Sequence, residues 1–391
     1  MNILFYMHQF PGIGGMESVA ATLAGELSRR GHAVFILSHK SGLAKSMMSQ
    51  LPGAAACYKM PDKTHLVSAQ NRGYVKRLVG EMHINIIMFM DSYAEIQKNI
   101  FGCNIGAKII TSEHSCPFYC TTEEHPERFT FPCRLRQAIR HGRIHLPYYY
   151  EGKRKRYLYD KSDRYVLLSD RFYGEFKAMA NLLDSRKLRA IPNPISPYIV
   201  PEAVNWSKKE RLMIFVGTLS EAKGAMRAIV ALDILKQRNL LPDGWRVEVL
   251  GDGPEHMTCE QYIAERGLDF VRLVGYVEDP RPFYEKAKLL LFPSAREGFG
   301  MTLVEAMSNG CVPVAFASYS SVFDIIHHEK NGVLVDAFDI EKYAMSVHSL
   351  LTEEKILAEM SREAVKISDK FAIEKIVDLW ETLMDEVLQN A

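Results

Sequence analysis

Short apolar runs alternate with helical patterns along most of the chain. The runs at 3–7 and 33–37 flank a segment in which Val19, Leu23 and Leu27 recur at helical spacing. Nearly continuous apolar runs are typical of strands that are buried on both faces of a parallel sheet. The pattern therefore predicts repeated βαβ units and an α/β fold. The remaining predicted strands are 84–90, 108–111, 165–169, 191–195, 212–216, 246–250, 271–274, 289–292 and 312–315.

The series of predicted strands is interrupted near the middle of the chain. Residues 196–209 are rich in proline and polar side chains, which is typical of a linker between domains. A chain of 391 residues is long enough for two domains. We therefore predict Rossmann-like domains at 1–198 and 199–372, with a cleft between them.

Composition and charge exclude several classes of protein. Lysine and arginine number 48 and aspartate and glutamate 47, and this balance argues against a general nucleic-acid binder. The first residues enter a strand without the features of a signal peptide, and no apolar run approaches the ~18 residues of a membrane span. Seven cysteines without framework spacing suit a reducing compartment. We expect a cytoplasmic protein.

The stretch 289–316 combines a strand, a glycine-rich turn and a helical pattern. The turn would leave the backbone N–H groups of Gly300, Met301 and Thr302 at a helix N-terminus, where an anion such as pyrophosphate binds well. Two carboxylates, Glu297 and Glu305, border this turn and could accept hydrogen bonds from hydroxyl groups. A ligand that carries both phosphates and hydroxyls is a sugar nucleotide.

A second glycine-rich turn follows the predicted strand 212–216. It runs from Gly217 and Thr218 to Lys223 and Gly224, and a helical pattern begins at Ala225. Lysine is a mobile positive charge that commonly binds phosphate. The sequence thus predicts a second phosphate contact in the C-terminal half.

The segment that begins at Pro293, PSAREGFGMTLVEAMSNGCVPV, resembles the glutamate-pair signature of retaining glycosyltransferases of family GT4. That family has the GT-B architecture, in which two Rossmann-like domains face each other across a cleft. The resemblance implies that Glu305 binds the ribose hydroxyls and that Glu297 binds the transferred sugar. It also places Phe299 at the donor site, and it implies that a final helix, about 373–391, packs back on the first domain.

Further motifs of the same family occur in the expected order. The turn 217–224 resembles the family's phosphate loop, in which Lys223 matches a diphosphate ligand. Thr218 stands where arginine is common, and Arg296 is a candidate for the missing charge. The turns at 251–254, which contains Gly253, and at 275–276 match those where the base usually docks.

The first half carries weaker matches. Gly14, Gly15 and Glu17 resemble the GGxE turn that in the family faces the donor phosphates and the acceptor, and 191–195 resembles the IPNP segment. His114 follows the strand 108–111 and resembles a strand-end histidine that lies near the reacting sugar. We expect His114 to donate or accept a hydrogen bond with that sugar rather than to act as a nucleophile.

One loop departs from the family pattern. Where many members carry Gly-Gly-x-x-Glu, this chain has Ser320, Ser321 and then Asp324. Because the loop lies near the donor in relatives, the identity of the donor sugar stays open.

The sequence predicts a retaining glycosyltransferase that uses a nucleotide-diphosphate sugar, expected to be a UDP-sugar. The acceptor would be a saccharide or lipid-linked saccharide of cell-surface glycan synthesis. No D-x-D sequence occurs, and Lys223 with two helix N-termini could neutralise the diphosphate, so we expect no metal and no further cofactor. Two alternatives are a GT-B sugar-nucleotide 2-epimerase and a non-catalytic regulatory subunit that binds sugar nucleotides.

A cluster of histidines and cysteines raises the alternative of a zinc site. Its spacing matches no common structural zinc pattern, so reduced thiols are the favoured interpretation. The cluster consists of His114, Cys116, Cys120, His125 and Cys133.

The stretch 134–156 is strongly basic in a chain that is otherwise near neutral. Its basic residues are Arg134, Arg136, Arg140, Arg143, Lys153, Arg154, Lys155 and Arg156, against the single acid Glu151. Basic residues mixed with tyrosines suit an anionic membrane surface, here the inner face of the plasma membrane. The alternative is a solvated face whose charges pair with acids elsewhere on the fold.

Overall fold

The computed structural model describes residues 1–12, 14–42, 55–90, 94–103, 105–117 and 146–389. These residues form two compact units. The first unit contains the described residues up to 196 together with those after 370, and the second contains 197–370. Among the described residues, no helix is both long enough and apolar enough to cross a bilayer.

The first unit is built on a seven-stranded sheet in which all the paired strands are parallel. The spatial order of the strands is β3-β2-β1-β4-β5-β6-β7, so the chain starts in the centre and winds outward in both directions. The strands are β1 Asn2–Gln9, β2 Ala33–Lys40, β3 Ala56–Lys59, β4 Ile86–Phe89, β5 Lys108–Glu113, β6 Arg164–Leu167 and β7 Leu188–Ala190. Their carboxyl ends all lie along one edge of the sheet, as in other doubly wound folds.

Helices connect these strands and cover the sheet. They are α1 Gly15–Arg29, α2 Ala69–Glu81, α3 Ala94–Phe101, α4 Leu146–Lys161 and α5 Tyr173–Met179. The central strands are almost wholly apolar and buried, which is why they read as continuous apolar runs rather than alternating ones.

The last strand of the first unit differs from the prediction. The segment 191–195 is predicted as a strand, but β7 ends at Ala190 and the following residues have no regular structure. Pro192 and Pro194 have no backbone N–H group to donate to a ladder, which explains the early end. Ile191 N still donates to Leu167 O at 2.9 Å.

The second unit contains a six-stranded parallel sheet with the order β10-β9-β8-β11-β12-β13. Its strands are β8 Leu212–Val216, β9 Arg246–Leu250, β10 Val271–Gly275, β11 Leu289–Phe292, β12 Val312–Phe316 and β13 Val333–Val335. Its helices are α6 Ala225–Gln237, α7 His256–Arg266, α8 Arg281–Lys286, α9 Met301–Ser308, α10 Val322–Ile325, α11 Ile340–Thr352, α12 Glu354–Val365 and α13 Ile367–Lys370. Because β8 and β11 are neighbours in the sheet, the loops that follow them lie side by side.

The final helix, α14 Ile373–Gln389, belongs to the first unit. It packs against α1, and Arg30 at the end of α1 donates to Asp378 Oδ1 at 2.5 Å and to Glu381 Oε2 at 2.7 Å. One face of α14 is apolar and buried, including Trp380. The chain therefore passes from the first unit to the second and back.

Candidate active site

In the first unit, His114 directly follows β5 at the carboxyl edge of the sheet. Its Nε2 lies 3.1 Å from Ser112 Oγ. Burial lowers the pKa of His114 to about 4, although a hydrogen bond with Asn193 and the charge of Glu113 act in the opposite direction. The imidazole is therefore neutral near pH 7 and can take part in hydrogen bonds without carrying a charge.

The turn that contains Gly14 and Gly15 joins β1 to α1 at the same edge. Gly14 is the residue that precedes α1, and Gly15 is the first residue of the helix. The Glu17 carboxylate folds back over the turn, and a Cβ at Gly14 would collide with it. Gly14 thus leaves room for Glu17 within the turn that resembles GGxE.

In the second unit, two loops lie against each other where β8 and β11 end. Ala295 N donates to Ala222 O at 2.8 Å, which joins the turn 217–224 to the segment after β11. Gly224 has φ 79°, and a Cβ there would clash with Pro293 O. This position requires glycine both for its left-handed backbone and for the close approach of the two loops.

This approach brings Lys223 to Glu297. Lys223 Nζ lies 2.6 Å from Glu297 Oε1 and 2.7 Å from Oε2, and Ser294 Oγ donates to Oε1 at 3.0 Å. The Glu297 side chain is only 10% exposed, whereas that of Lys223 is 36% exposed. The lysine can therefore turn toward a ligand, while the carboxylate is held in place.

Glu305 lies on α9 and is held by a tyrosine from another element. Tyr284, on α8, donates its hydroxyl hydrogen to Glu305 Oε2 at 3.0 Å. Burial raises the pKa of Glu305, and the hydrogen bond from Tyr284 partly opposes this effect. The second carboxylate oxygen, Oε1, is suited to accept hydrogen bonds from a ligand.

The start of α9 supplies backbone donors between the two carboxylates. Gly300 precedes the helix with φ 97°, a left-handed conformation that favours glycine, and no side chain caps the helix. Met301 and Thr302 form its first turn, where N–H groups lack partners within the helix. Phe299, which precedes Gly300, has a buried side chain.

The other residues predicted for this site lie on adjoining turns. Gly217 N donates to Leu250 O at 3.0 Å, and Leu219 N donates to Asp252 O at 3.0 Å, which places Gly217 beside the turn that contains Gly253. Thr218 is exposed, and Arg296 lies one residue before Glu297. The structure thus gathers all the site residues predicted for the second half into one unit, whereas Gly14, Gly15 and His114 belong to the other.

Sequence reasoning missed three side chains of this site. Ser294, Tyr284 and Tyr319 contact or adjoin the two glutamates. Ser294 lies three residues before Glu297 and could have been included on that spacing. Tyr284 and Tyr319 come from distant elements, and no local pattern marks them.

Only part of the predicted cluster of histidines and cysteines lies within the described residues. Cys116 is buried, while Cys120, His125 and Cys133 lie outside the described residues. No group of three or more potential metal ligands occurs among the residues that the structure describes.

The basic stretch is likewise described only from α4 onward, so Arg134, Arg136, Arg140 and Arg143 lie outside the described residues. For Lys155, a described residue of this stretch, the predicted surface position is wrong. Lys155 is 1% exposed, and its Nζ lies 2.7 Å from the buried carboxylate of Glu113. Lys155 therefore anchors α4 to the sheet and cannot face a membrane.

Comparison with known proteins agrees with this fold. The family model described as Glycosyltransferase Family 4 matches residues 13–197, and the model described as Glycosyl transferases group 1 matches residues 200–367. The solved structure of Anabaena HepE in complex with UDP superposes with a TM-score of 0.75 over 98% of this chain and 100% of that chain, at 17% identity. That likeness shows the GT-B fold.

Two curated relatives match about half of the chain. The exopolysaccharide phosphotransferase of Streptomyces coelicolor is 31% identical over 208 residues, which are 52% of this chain and 21% of that protein. The poly(glycerol-phosphate) alpha-glucosyltransferase of Bacillus subtilis is 23% identical over 199 residues, 51% of this chain and 29% of that protein. The chain thus spans less than a third of the length of either relative.

Proposed function

The chain belongs to the family 4 glycosyltransferases, and we propose that it transfers a sugar from a UDP-sugar to a saccharide or lipid-linked saccharide acceptor in cell-surface glycan synthesis. One observation carries this proposal. The second unit holds two carboxylates, a mobile lysine and the start of α9 together at the ends of adjacent strands. Charged donors suit a diphosphate, and fixed carboxylates suit sugar hydroxyls.

We assign the donor as follows. Lys223 and the N–H groups at the start of α9 hold the diphosphate, and the turn at Gly217 borders it, while the turn that contains Gly253 borders the base. Glu305 accepts hydrogen bonds from the ribose hydroxyls. Glu297 accepts hydrogen bonds from the transferred sugar.

We propose that the anomeric configuration is retained. The acceptor hydroxyl oxygen forms a bond to the anomeric carbon on the face from which the diphosphate departs, and its proton passes to a phosphate oxygen. Lys223 stabilises the negative charge that grows on the departing diphosphate, and His114 forms a hydrogen bond with the sugar. Because these groups neutralise and orient the donor, we propose that the reaction requires no divalent cation.

The names of relatives support the substrate classes. The HepE structure contains UDP, and the Bacillus relative is an alpha-glucosyltransferase that acts on poly(glycerol phosphate). The Streptomyces relative is a phosphotransferase of exopolysaccharide, and this chain matches a fifth of it. Sugar transfer is the activity that the paired glutamates favour, since phosphoryl transfer would not require a carboxylate at the sugar.

Donor and acceptor assays test this proposal. UDP-glucose, UDP-galactose, UDP-N-acetylglucosamine and UDP-N-acetylgalactosamine are screened for thermal stabilisation and for UDP release, with and without EDTA. We expect one donor to stabilise the protein most and to be turned over equally well with EDTA. Accumulation of an epimer without acceptor would instead support the 2-epimerase, and donor binding without any hydrolysis or transfer would support the regulatory subunit.

For location, we propose a cytoplasmic enzyme that binds the inner face of the plasma membrane through the described part of the basic stretch. Helix α4 exposes Lys153 and Arg156 together with Tyr149 and Tyr150, and Lys153 Nζ lies 4.4 Å from the centroid of the Tyr149 ring. Exposed tyrosines and basic residues suit the headgroup region of an anionic bilayer. Part of the charge is neutralised locally, because Arg156 pairs with Asp160 at 3.0 Å.

A further inference from the structure

The loop after β12 is tied to the turn that carries Glu297. Ser318 Oγ donates to Ser294 O at 2.7 Å, and Ser321 Oγ donates to Gly298 O at 3.0 Å. These bonds lie on both sides of Tyr319. The tyrosine is thus fixed at the point where the sequence departs from the family's Gly-Gly-x-x-Glu pattern.

The Tyr319 hydroxyl lies at the start of α9. A Cβ built on Gly300 would be 3.0 Å from Tyr319 Oη, so the phenol oxygen lies against the residue that precedes the helix. Tyr319 is only 7% exposed, and among the described residues its hydroxyl has no hydrogen-bond partner. Buried hydroxyls nearly always have a partner, and one that lacks it beside a predicted ligand site points to a group of the ligand.

The phenol keeps its proton over the physiological range. Burial raises the pKa of Tyr319 well above its usual value, and the negative charge of Glu297 raises it further. The hydroxyl is therefore available as a hydrogen-bond donor close to a carboxylate that can only accept.

We propose that Tyr319 donates a hydrogen bond to a hydroxyl group of the transferred sugar, an inference that rests on the function proposed above. A sugar hydroxyl has one hydrogen to donate and two lone pairs that accept. If it donates to Glu297, its lone pairs still require a donor, and the Tyr319 hydroxyl supplies one. The pair would fix the orientation of that hydroxyl, so Tyr319 contributes to the choice of donor sugar.

The substitution Tyr319→Phe removes only the hydroxyl oxygen and tests this role. The affinities of wild type and variant are measured by calorimetry for UDP and for the UDP-sugar that stabilises the wild type most in the panel above. We expect the affinity for UDP to stay within about twofold and that for the UDP-sugar to fall at least about fivefold, the effect of one lost hydrogen bond. The melting temperature without ligand should be unchanged or higher, because the hydroxyl makes no bond within the described protein.

Tyr343→Phe is the matched control. Tyr343 is buried in the same unit, but its hydroxyl donates to Val314 O at 2.9 Å and accepts from Phe292 N at 2.9 Å. This variant should have a lower melting temperature and an unchanged ratio of UDP to UDP-sugar affinity.

Three outcomes would overturn the inference. If Tyr319→Phe binds the UDP-sugar like the wild type, or loses affinity for UDP by the same factor, the hydroxyl does not contact the sugar. If the variant melts at a lower temperature with unchanged affinities, the hydroxyl is structural. If the wild type itself binds none of the UDP-sugars, the proposed function fails and this inference fails with it.

Discussion

Lys223 and Glu297 form a bidentate ion pair, with Nζ 2.6 Å and 2.7 Å from the two carboxylate oxygens. The two residues are 74 positions apart in the sequence and are assigned to different parts of the donor. A diphosphate bound at this turn would compete with Glu297 for the lysine. The pair therefore links diphosphate binding to the freedom of Glu297 to accept a sugar hydroxyl.

Replacing Lys223 should affect turnover more than donor binding. The charge on the diphosphate grows as the glycosidic bond breaks, so the lysine interacts most strongly in the transition state. We expect Lys223→Ala to lower kcat roughly 100-fold, which is the usual effect of removing one donor that stabilises charge in the transition state. The donor KM should rise by a smaller factor. Steady-state kinetics measure both constants. Lys342→Ala, which removes an exposed lysine of the same unit, should change neither, and a pure KM effect in Lys223→Ala would assign Lys223 to binding alone.

Glu305 should make donor binding dependent on pH. Its pKa is raised by burial, and only the ionised carboxylate accepts hydrogen bonds from both ribose hydroxyls. Affinity for the UDP-sugar, whose phosphates do not titrate in this range, should therefore fall as the pH decreases through this raised pKa. Glu305→Gln should bind UDP at least about tenfold more weakly at pH 7, because hydrogen bonds to a charged group contribute about 1.5–3 kcal/mol each.

Calorimetric titrations between pH 7 and pH 5 test that dependence. The variant Glu305→Gln should lose it, while Tyr284→Phe should keep it. A pH-independent affinity in the wild type would contradict the ribose assignment.

His114 should make the first unit sensitive to acid. Its pKa is about 4 in the folded protein and near 6.5 in the unfolded chain, so the unfolded state binds the proton first. Stability should therefore be unaffected above about pH 6.5 and should decrease as the pH falls from there toward about 4. Thermal melts across this range should show a shallower decrease for His114→Gln than for wild type. His65→Gln, at an exposed histidine, is the control and should leave the slope unchanged.

The buried pair of Lys155 and Glu113 should contribute strongly to the stability of the first unit. Burial alone would raise the pKa of Glu113, but the charges of Lys155 and Arg154 lower it to about 2. Lys155→Met would leave this carboxylate buried without its counter-ion, which typically costs about 3–5 kcal/mol. Chemical denaturation should show a loss of that size, compared with less than about 1 kcal/mol for Lys98→Met at the exposed pair with Glu95.

Membrane binding through α4 can be tested without disturbing that buried pair. Lys153→Ser combined with Arg156→Ser removes the two exposed basic residues in the described part of the stretch 134–156 and leaves Lys155 in place. Each basic residue near an anionic surface contributes about 1 kcal/mol. The affinity of the double variant for anionic vesicles should therefore be lower by a factor of roughly ten or more. Co-sedimentation with anionic and neutral vesicles measures this effect. Arg362→Ser with Lys366→Ser in the second unit is the control, and equal binding of both double variants would exclude α4 as the anchor.

The central strands could be predicted from the sequence because their residues are buried on both faces and read as apolar runs. The edge strands β3 and β13 were missed, because β3 is partly exposed and has no apolar run, and β13 has only 3 residues. Lys155 was wrongly placed on a surface for a different reason. A charged residue is normally exposed, and its buried partner Glu113 is 42 residues away.

Prediction of the candidate site from the sequence is limited in the same way. Glu297, Glu305 and Lys223 could be proposed because each lies beside a glycine-rich turn that local sequence reveals. Tyr284 and Tyr319 reach the glutamates only through the packing of α8 and of the loop after β12. Side chains that meet by tertiary packing leave no periodic signal in the sequence.

The return of α14 to the first unit has a consequence for synthesis on the ribosome. All of the second unit, 197–370, is translated before the residues of α14. Until those residues leave the exit tunnel, α1 lacks the helix that packs against it, and Arg30 lacks its partners Asp378 and Glu381. The second unit can thus complete its fold while the first, although made earlier, still lacks its last helix.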